Sequence, residues 1–290
     1  MLARAKTVSE HKFKSAVTFL DALRKAPISR VSSTDIDVLF LRNDPSLDLN
    51  TRNWAQNAPY IFGQIAMRDD VIVLNHPEKL SDAINKMYFQ HFPEILRPKT
   101  IITRDQKEIE DFFEEQKQKM ILKPLQGSGG KNVFLVEKKT KQNLKQIIEA
   151  IARDGYIIAQ EYLPDAQGGD TRLFLMNGEP LKSNGKYAVI KRVNQEGDVR
   201  SNISAGGHPE RATVTDEMLN LAEVLRPKLI QDGMFLVGID IVGNKLMEIN
   251  VFSPGGLTMM SEAYGVNFSK VVITAIERKV LYKKTYNGYV

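Results

Sequence analysis

The chain contains no cysteine. That excludes disulfides, thiolate–metal sites and a cysteine nucleophile, and it fits a reducing compartment. No apolar run approaches the roughly 20 residues a membrane-spanning helix needs. The basic N-terminus, MLARAKTVSEHKFKSAVTFLDALRK, lacks the apolar core of a signal peptide. An amphipathic helix over residues 10–25 is expected there, and Glu10 and Asp21 argue against a transit peptide. A cytoplasmic protein with no membrane partner is the resulting expectation. There is one tryptophan, and the 40 Lys and Arg are interspersed with 35 Asp and Glu for a net charge of +5. A nucleic-acid groove calls for a basic stripe with stacking aromatics, so no nucleic-acid partner is expected. A mild positive field suits an anionic small molecule. The four histidines, His11, His76, His91 and His208, are scattered, and no Ser-His-Asp or Cys-His set can be assembled.

What the sequence does have is length and pattern. With 290 residues it can bury a large core in two or three lobes. The runs DIDVLFLRND (35–44) and DDVIVLNHP (69–77) read as short buried strands, the first delivering Arg42, Asn43 and Asp44 to its end. KLSDAINKMYFQHFP (79–93) has helical periodicity and carries Lys86. Strand and helix alternate, so an α/β lobe with a parallel sheet is expected, although the chain opens with a helix where such a lobe usually opens with a strand. From residue 97 the pattern changes to strand, helix (105–119), hairpin (119–138), helix (141–153) and strand (155–164). Beyond that come an Asn-Gly hairpin in TRLFLMNGEPLKS, the strand YAVIKRV, a helix at 216–231, a long hairpin in GMFLVGIDIVGNKLMEINV and a closing helix at 266–281. The fold class is α/β grading into α+β.

Two stretches carry chemistry. KPLQGSGGK (123–131) fails both the P-loop and the G-x-G-x-x-G spacings. Its Gly127, Ser128, Gly129 and Gly130 form a loop between two strands whose backbone N–H groups can approach a ligand closely, with Lys123 on the preceding strand. In VGIDIVGNKLMEIN (237–250), Asp240 interrupts one apolar strand, and Glu248 and Asn250 interrupt the next, two residues apart and on one face. A three-residue loop at 243–245 would pair 240 with 248 and join all three on that face; a two-residue loop would pair 240 with 247 and separate them. Hard oxygen donors of this kind suit Mg²⁺ or Mn²⁺ with nucleotide phosphates completing the sphere. Lys86, Lys123, Arg172, Lys191, Arg192 and Arg200 gather positive charge around that face, as phosphoryl transfer requires.

The ordered set ILKPLQGSGG, IIAQEYLP, GGDTRLFLMNGEP, RSNISAGG and FLVGIDIVGNKLMEINVFSP closely resembles the bacterial glutathione synthetases, members of the ATP-grasp superfamily, from about Asp35 to about Arg278. The resemblance implies an ATP-grasp fold with a pre-ATP-grasp substrate lobe at 1–94, a middle subdomain at 95–160 and a C-terminal subdomain at 161–290. It implies that Lys86 and Lys123 hold ATP phosphates, that Gln160, Glu161, Tyr162 and Leu163 form the adenine hinge, and that Asp170 joins the nucleotide site. Asp240, Glu248 and Asn250 match the magnesium ligands. Arg172, Arg192, Arg200 and Asn202 match positions near the transferred phosphoryl group and reacting carboxylate. Arg42 with Asn43, and Ser253 with Gly255 and Gly256, match substrate-binding positions. The implied reaction joins γ-glutamylcysteine to glycine at the expense of ATP, in a homo-oligomer.

The resemblance departs in two places. The family's N-terminal lobe begins with a strand and loop that Met1 lies downstream of. After NVFSP, Gly255 and Met259 replace a threonine and an acid. A sister ligase with another amine, and an ATP-binding relative without catalysis, are the competing readings.

Overall fold

The computed structural model describes the chain except residues 11, 49–50, 128, 196–199, 204–205 and 287–290. The chain opens with a strand, β1 (Leu2–Lys6), and not with a helix. A helix, α1 (Ala16–Lys25), follows; its Ser15 cap, closed reciprocally with Thr18, fixes its start well inside the expected 10–25. The strand β2 (Ile28–Ser32) then pairs antiparallel with β1 to make a ribbon apart from the other sheets.

The expected parallel pair exists as β3 (Val38–Phe40) and β4 (Ile72–Leu74), joined through α2 (Ala58–Arg68), a helix not anticipated from the sequence. The helix expected over 79–93 is broken. A short α3 (Pro77–Asp82) ends, and Asn85 caps a separate 3₁₀ turn at Lys86–His91 by accepting from Met87 N–H. Lys86 therefore sits on the first residue of a turn, and its own N–H reaches Leu125 O across the cleft at 3.1 Å.

The middle region is a four-stranded antiparallel sheet: β5 (Thr100–Thr103), β6 (Lys119–Pro124), β7 (Phe134–Glu137) and β8 (Ile157–Glu161), in spatial order β5-β8-β6-β7. Two helices, α4 (Gln106–Glu115) and α5 (Leu144–Ala152), cover one face. Ile109, Phe112, Phe113, Ile148 and Ile151 pack there on Met120, Leu122, Val136 and Ala159. Because strand side chains alternate, Lys123 and Gln160 are left on the uncovered face.

The larger sheet contains β9 (Asp170–Met176), with the short β10 (Glu179–Pro180) folded back on it through Asn177-Gly178, then β13 (Val189–Val193), β14 (His208–Glu210), β15 (Leu236–Val242) and β16 (Lys245–Asn250); β11 (Lys182–Ser183) and β12 (Lys186–Tyr187) form a small separate hairpin. One face packs on α6 (Asp216–Gln231), with Leu173, Leu175, Val237 and Ile239 against Leu221, Leu225 and Leu229. The other face packs Phe174, Ile190 and Leu236 toward α7 (Leu257–Tyr264) and α8 (Phe268–Thr285). All of β15 is buried, so Asp240 is a carboxylate set in a two-sided apolar strand.

The hairpin register resolves the loop question in an unforeseen way. Val242 pairs with Lys245, so the loop has two residues, Gly243 and Asn244; yet Asp240 pairs with Glu248, because the register shifts between Asp240 and Ile241. Met247 is the extra residue of a β-bulge and absorbs the offset.

The first lobe is tied to this sheet by Asn75, which is fully buried at the end of β4. Its Oδ1 accepts from Phe235 N–H and Leu236 N–H at 2.7 and 3.0 Å, and its Nδ2 donates to Val251 O and Leu236 O at 2.6 and 3.2 Å. The Tyr88 hydroxyl donates to buried Asp232, which Lys228 neutralises.

Candidate functional site: a cleft between two antiparallel sheets

The uncovered face of the middle sheet and the Asp240 face of the larger sheet enclose a cavity of about 530 Å³, and a smaller one of about 150 Å³ adjoins it. They share Lys86, Lys123, Gly127, Gly129, Gln160, Arg192, Asn202, Met247 and Glu248. Neither sheet alone could make this enclosure, which arises because each leaves one polar face uncovered.

Lys123 is half-buried and donates to Gln160 Oε1 at 2.9 Å, while Gln160 Nε2 is anchored on Thr100 Oγ1 at 3.1 Å. Burial, and then the neighbouring Lys86 ammonium, lower the Lys123 pKa to about 8, against the opposing pull of Glu248. Lys86 donates to Gly127 O at 2.6 Å and so fixes the start of the glycine loop. Gly130 has φ +74°, and a Cβ built on it would stand 2.7 Å from Asn202 Oδ1 and 3.0 Å from Arg200 Cδ. The loop thus lies directly on the 200–202 segment, at a distance only glycine permits. Glu161, Tyr162 and Leu163 line the smaller cavity; Lys119 stands 4.1 Å over the Tyr162 ring.

On the opposite wall, Arg172, Asp240 and Glu248 form a row across three neighbouring strands. Arg172 grips Asp240 through both carboxylate oxygens, Nε to Oδ1 at 2.7 Å and Nη2 to Oδ2 at 2.8 Å. Arg192 Nη2 reaches the same Oδ2 at 2.8 Å, and Asn250 Nδ2 donates to it at 3.2 Å. Arg192 also holds Asp170 with two bonds of 2.6 Å, and Ser201 Oγ donates to Asp170 at 2.5 Å. Two guanidiniums and two carboxylates therefore neutralise one another out of water. Burial alone would raise the Asp240 pKa, but Arg172 and Arg192 outweigh it and hold the carboxyl below its ordinary range. Burial and then Asp240 push Asp170 upward.

Ser253, Gly255 and Gly256 line the far end of the larger cavity with Asp44, Ser46 and Met259. Arg42 and Asn43 are not on its wall. Arg42 lies 5.3 Å over the Phe40 ring and donates to Pro254 O at 3.2 Å, one residue before Gly255. Ser128 falls outside the described residues. Sequence reasoning missed Met247, whose bulge has no glycine or proline to signal it, and Thr100, which orients Gln160 from a neighbouring strand.

As to metal, the donor set on this face is Glu248, Asn250 and Asp240, all hard oxygens beside two lysines, and this fits a small divalent cation shared with phosphate. Asp240 already receives four hydrogen bonds from Arg172, Arg192 and Asn250, so Glu248 and the Asn250 carbonyl oxygen are the more open donors.

The fold is shared with D-cycloserine synthetase DcsG (TM-score 0.62, 15% identity, 86% of each chain) and with D-alanine–D-alanine ligase from Bacillus anthracis complexed with ATP (TM-score 0.56, 13% identity, 88% of this chain and 83% of that one). Residues 85–265 match the family described as prokaryotic glutathione synthetase, ATP-grasp domain, and the chain belongs to that family. It is 33% identical to the glutathione synthetase of Vibrio parahaemolyticus serotype O3:K6 over 252 residues, 86% of this chain and 76% of that one. Identity to the glutathione synthetase of Escherichia coli O157:H7 is 33% over 248 residues, 85% and 75% of the two chains.

Proposed function

We propose that this chain makes glutathione: it joins the cysteinyl carboxylate of γ-glutamylcysteine to the amine of glycine, converting ATP to ADP and phosphate. The observation that carries the reading is the pair of lysines, Lys86 and Lys123, facing the Asp240–Glu248–Asn250 wall across one cleft. A carboxylate is a poor electrophile, so the γ-phosphoryl group is transferred to it first. The glycine nitrogen then attacks the acyl carbon and expels phosphate. Lys86 and Lys123 bind the β- and γ-phosphates, and Gln160 keeps Lys123 pointed at them. Glu161, Tyr162 and Leu163 flank the adenine. Arg172 and Arg192 offset the charge that builds on the transferred group. Arg200 and Asn202 hold the reacting carboxylate under the glycine loop, which keeps water from the acyl phosphate. Glu248, Asn250 and Asp240 would hold Mg²⁺ or Mn²⁺, which supplies charge neutralisation at the phosphates. Arg42 and Asn43 support the wall that receives the dipeptide, and Ser253, Gly255 and Gly256 form the end that receives the amine.

Residues 1–94, 95–160 and 161–290 act as substrate lobe, lid-bearing subdomain and metal-bearing subdomain. The assembly is a cytoplasmic homo-oligomer; exposed Trp54, Ile61 and Phe62 on the first lobe support an interface there. No described helix is long and apolar enough to cross a membrane.

One observation favours a second reading of the amine. Met259 stands with Gly255 and Gly256 at the cavity end, where an acid would hold an ammonium. The test is phosphate release from Mg-ATP with γ-glutamylcysteine, with glycine and with a panel of other amines. Release dependent on glycine supports glutathione; release dependent on another amine assigns the sister ligase; ATP bound without release assigns a non-catalytic relative.

A further inference from the structure

The chain's positive charge is not spread over the molecule. Residues 1–32 carry seven Lys and Arg against Glu10 and Asp21, a net +5 that equals the net charge of the whole chain; the remaining 258 residues hold 33 of each sign. This segment is the β1–α1–β2 unit, which stands apart from the three-stranded-or-larger sheets and the catalytic cleft. No residue of α1 is buried. Its register makes a ribbon with two unlike faces. Ala3, Ala5, Ser29 and Val31 share one face. The other carries Leu2, Arg4 and Lys6 opposite Ser32, Arg30 and Ile28, with Arg4 set directly against Arg30.

Like charges directly opposite on a ribbon repel each other. Arg4 and Arg30 are both exposed, and neither has an ion pair among the described residues. A phosphate-bearing surface over that face would turn the repulsion into attraction. Exposed apolar side chains belong to the same unit: Leu2 (67% exposed) and Ile28 (56%) on the arginine face of the ribbon, and Val17 (67%) and Leu20 (45%) on α1. Phe19 is exposed too, stacked edge-on against Phe13 at 5.2 Å. Aliphatic groups beside arginine and lysine match a bilayer interface, where the chains enter the acyl boundary and the cations meet headgroups. Nucleic acid would instead favour flat aromatic platforms, and a second copy would bring the same positive charge.

We propose that the β1–α1–β2 unit is a peripheral docking element for an anionic phospholipid surface, holding the enzyme on a membrane without spanning it. The proposal revises only the expectation of no membrane partner, which rested on the lack of a spanning segment. It does not depend on which amine the cleft accepts.

The test is vesicle co-sedimentation of the full chain. Vesicles of phosphatidylcholine alone are compared with vesicles that also contain phosphatidylglycerol, at low and high salt. Selective binding to the anionic vesicles is expected, weakened by salt because exposed charges are screened beyond about 10 Å at 0.1 M. Each basic side chain near an anionic leaflet is worth roughly fivefold in affinity, so Arg4→Glu with Arg30→Glu should lose on the order of 25-fold or more. Val17→Ser with Leu20→Ser should lose on the order of tenfold by removing aliphatic burial. Both variants should keep wild-type ATP turnover, because no residue of the β1–α1–β2 unit lines either cavity; retained turnover also shows that they fold. The proposal is overturned if the folded chain ignores anionic vesicles, or if the Arg4/Arg30 variant binds as the wild type does. It is overturned equally if duplex DNA competes fully while the Val17/Leu20 change has no effect, which would mark a general polyanion contact.

Discussion

Asp240→Asn removes one charge from a closed set of four and leaves the shape intact. The set is neutral as it stands: Arg172 and Arg192 against Asp170 and Asp240. Asp240 is 1% exposed and Arg192 5%, so little water is at hand to replace the lost carboxylate at Arg192. Removing one partner of a buried pair typically costs about 3–5 kcal/mol. Arg172 borders the cavity and also donates to Gly255 O at 3.3 Å, so it can turn toward water. The low end, about 3 kcal/mol, is therefore expected. With an unfolding entropy of about 2.1 cal/mol/K per residue, that is a fall of roughly 5 °C in Tm for a chain of this length. The assay is urea unfolding with thermal unfolding alongside, for Asp240→Asn, Arg172→Met and the double variant. Because the partners touch, the cycle should return a coupling of about 1–3 kcal/mol. Wild-type stability in Asp240→Asn, or strictly additive single changes, would refute the closed-set reasoning.

Three further outcomes follow from the same geometry. The lowered Lys123 pKa, about 8, means that the free chain sheds this proton as pH rises past that value. Phosphate favours the charged form, so ATP affinity by calorimetry should fall above pH ~8, approaching tenfold per pH unit; flat affinity to about pH 9.5 would remove Lys123 from the phosphate site. Gly130→Ala forces a Cβ into Asn202 at φ +74°, which costs about 1–2 kcal/mol in the loop as it stands; steady-state kinetics should show a roughly tenfold loss in turnover, with Tm lowered by only about 2–3 °C. Asn75→Ala strips partners from two buried N–H groups and two carbonyls, and Tm measurement should report a loss of about 2–4 kcal/mol.

Local signals made much of the fold legible. Thr215 caps a helix whose apolar positions and acidic first turn put its bounds at 216–231, as found. The middle sheet with its two helices is legible because α4 and α5 are amphipathic and its strands are short apolar runs bounded by polar residues. The breaks came where tertiary contacts decide. Helix 79–93 reads well by period, but Asn85 offers a competing cap and Lys86 N–H is drawn to Leu125 O, so the helix ends early. Strand β1 is basic, with two alanines in five residues, and its partner lies beyond an intervening helix, so no local pattern marks it. In the site, the acidic row was foreseeable from the interruption of apolar strands by Asp240, Glu248 and Asn250. Its alignment was not, because a two-residue loop and a bulge at Met247 together produce the pairing that a longer loop would also have given. The pairing of Arg172 and Arg192 with Asp240 depends on the register of β9, β13 and β15, to which no local motif points.

If a carboxylate in this cleft is phosphorylated before the amine attacks, one of its oxygens must leave with the phosphate. The most direct test starts with γ-glutamylcysteine carrying ¹⁸O in its cysteinyl carboxylate, together with glycine and Mg-ATP. Mass spectrometry then follows glutathione and phosphate. Attack by the carboxylate oxygen on the γ-phosphorus, followed by expulsion of phosphate, moves one labelled oxygen into each phosphate released. Labelled phosphate in step with glutathione is the predicted result. Glutathione accompanied by unlabelled phosphate, or by label in AMP, would rule out an acyl phosphate.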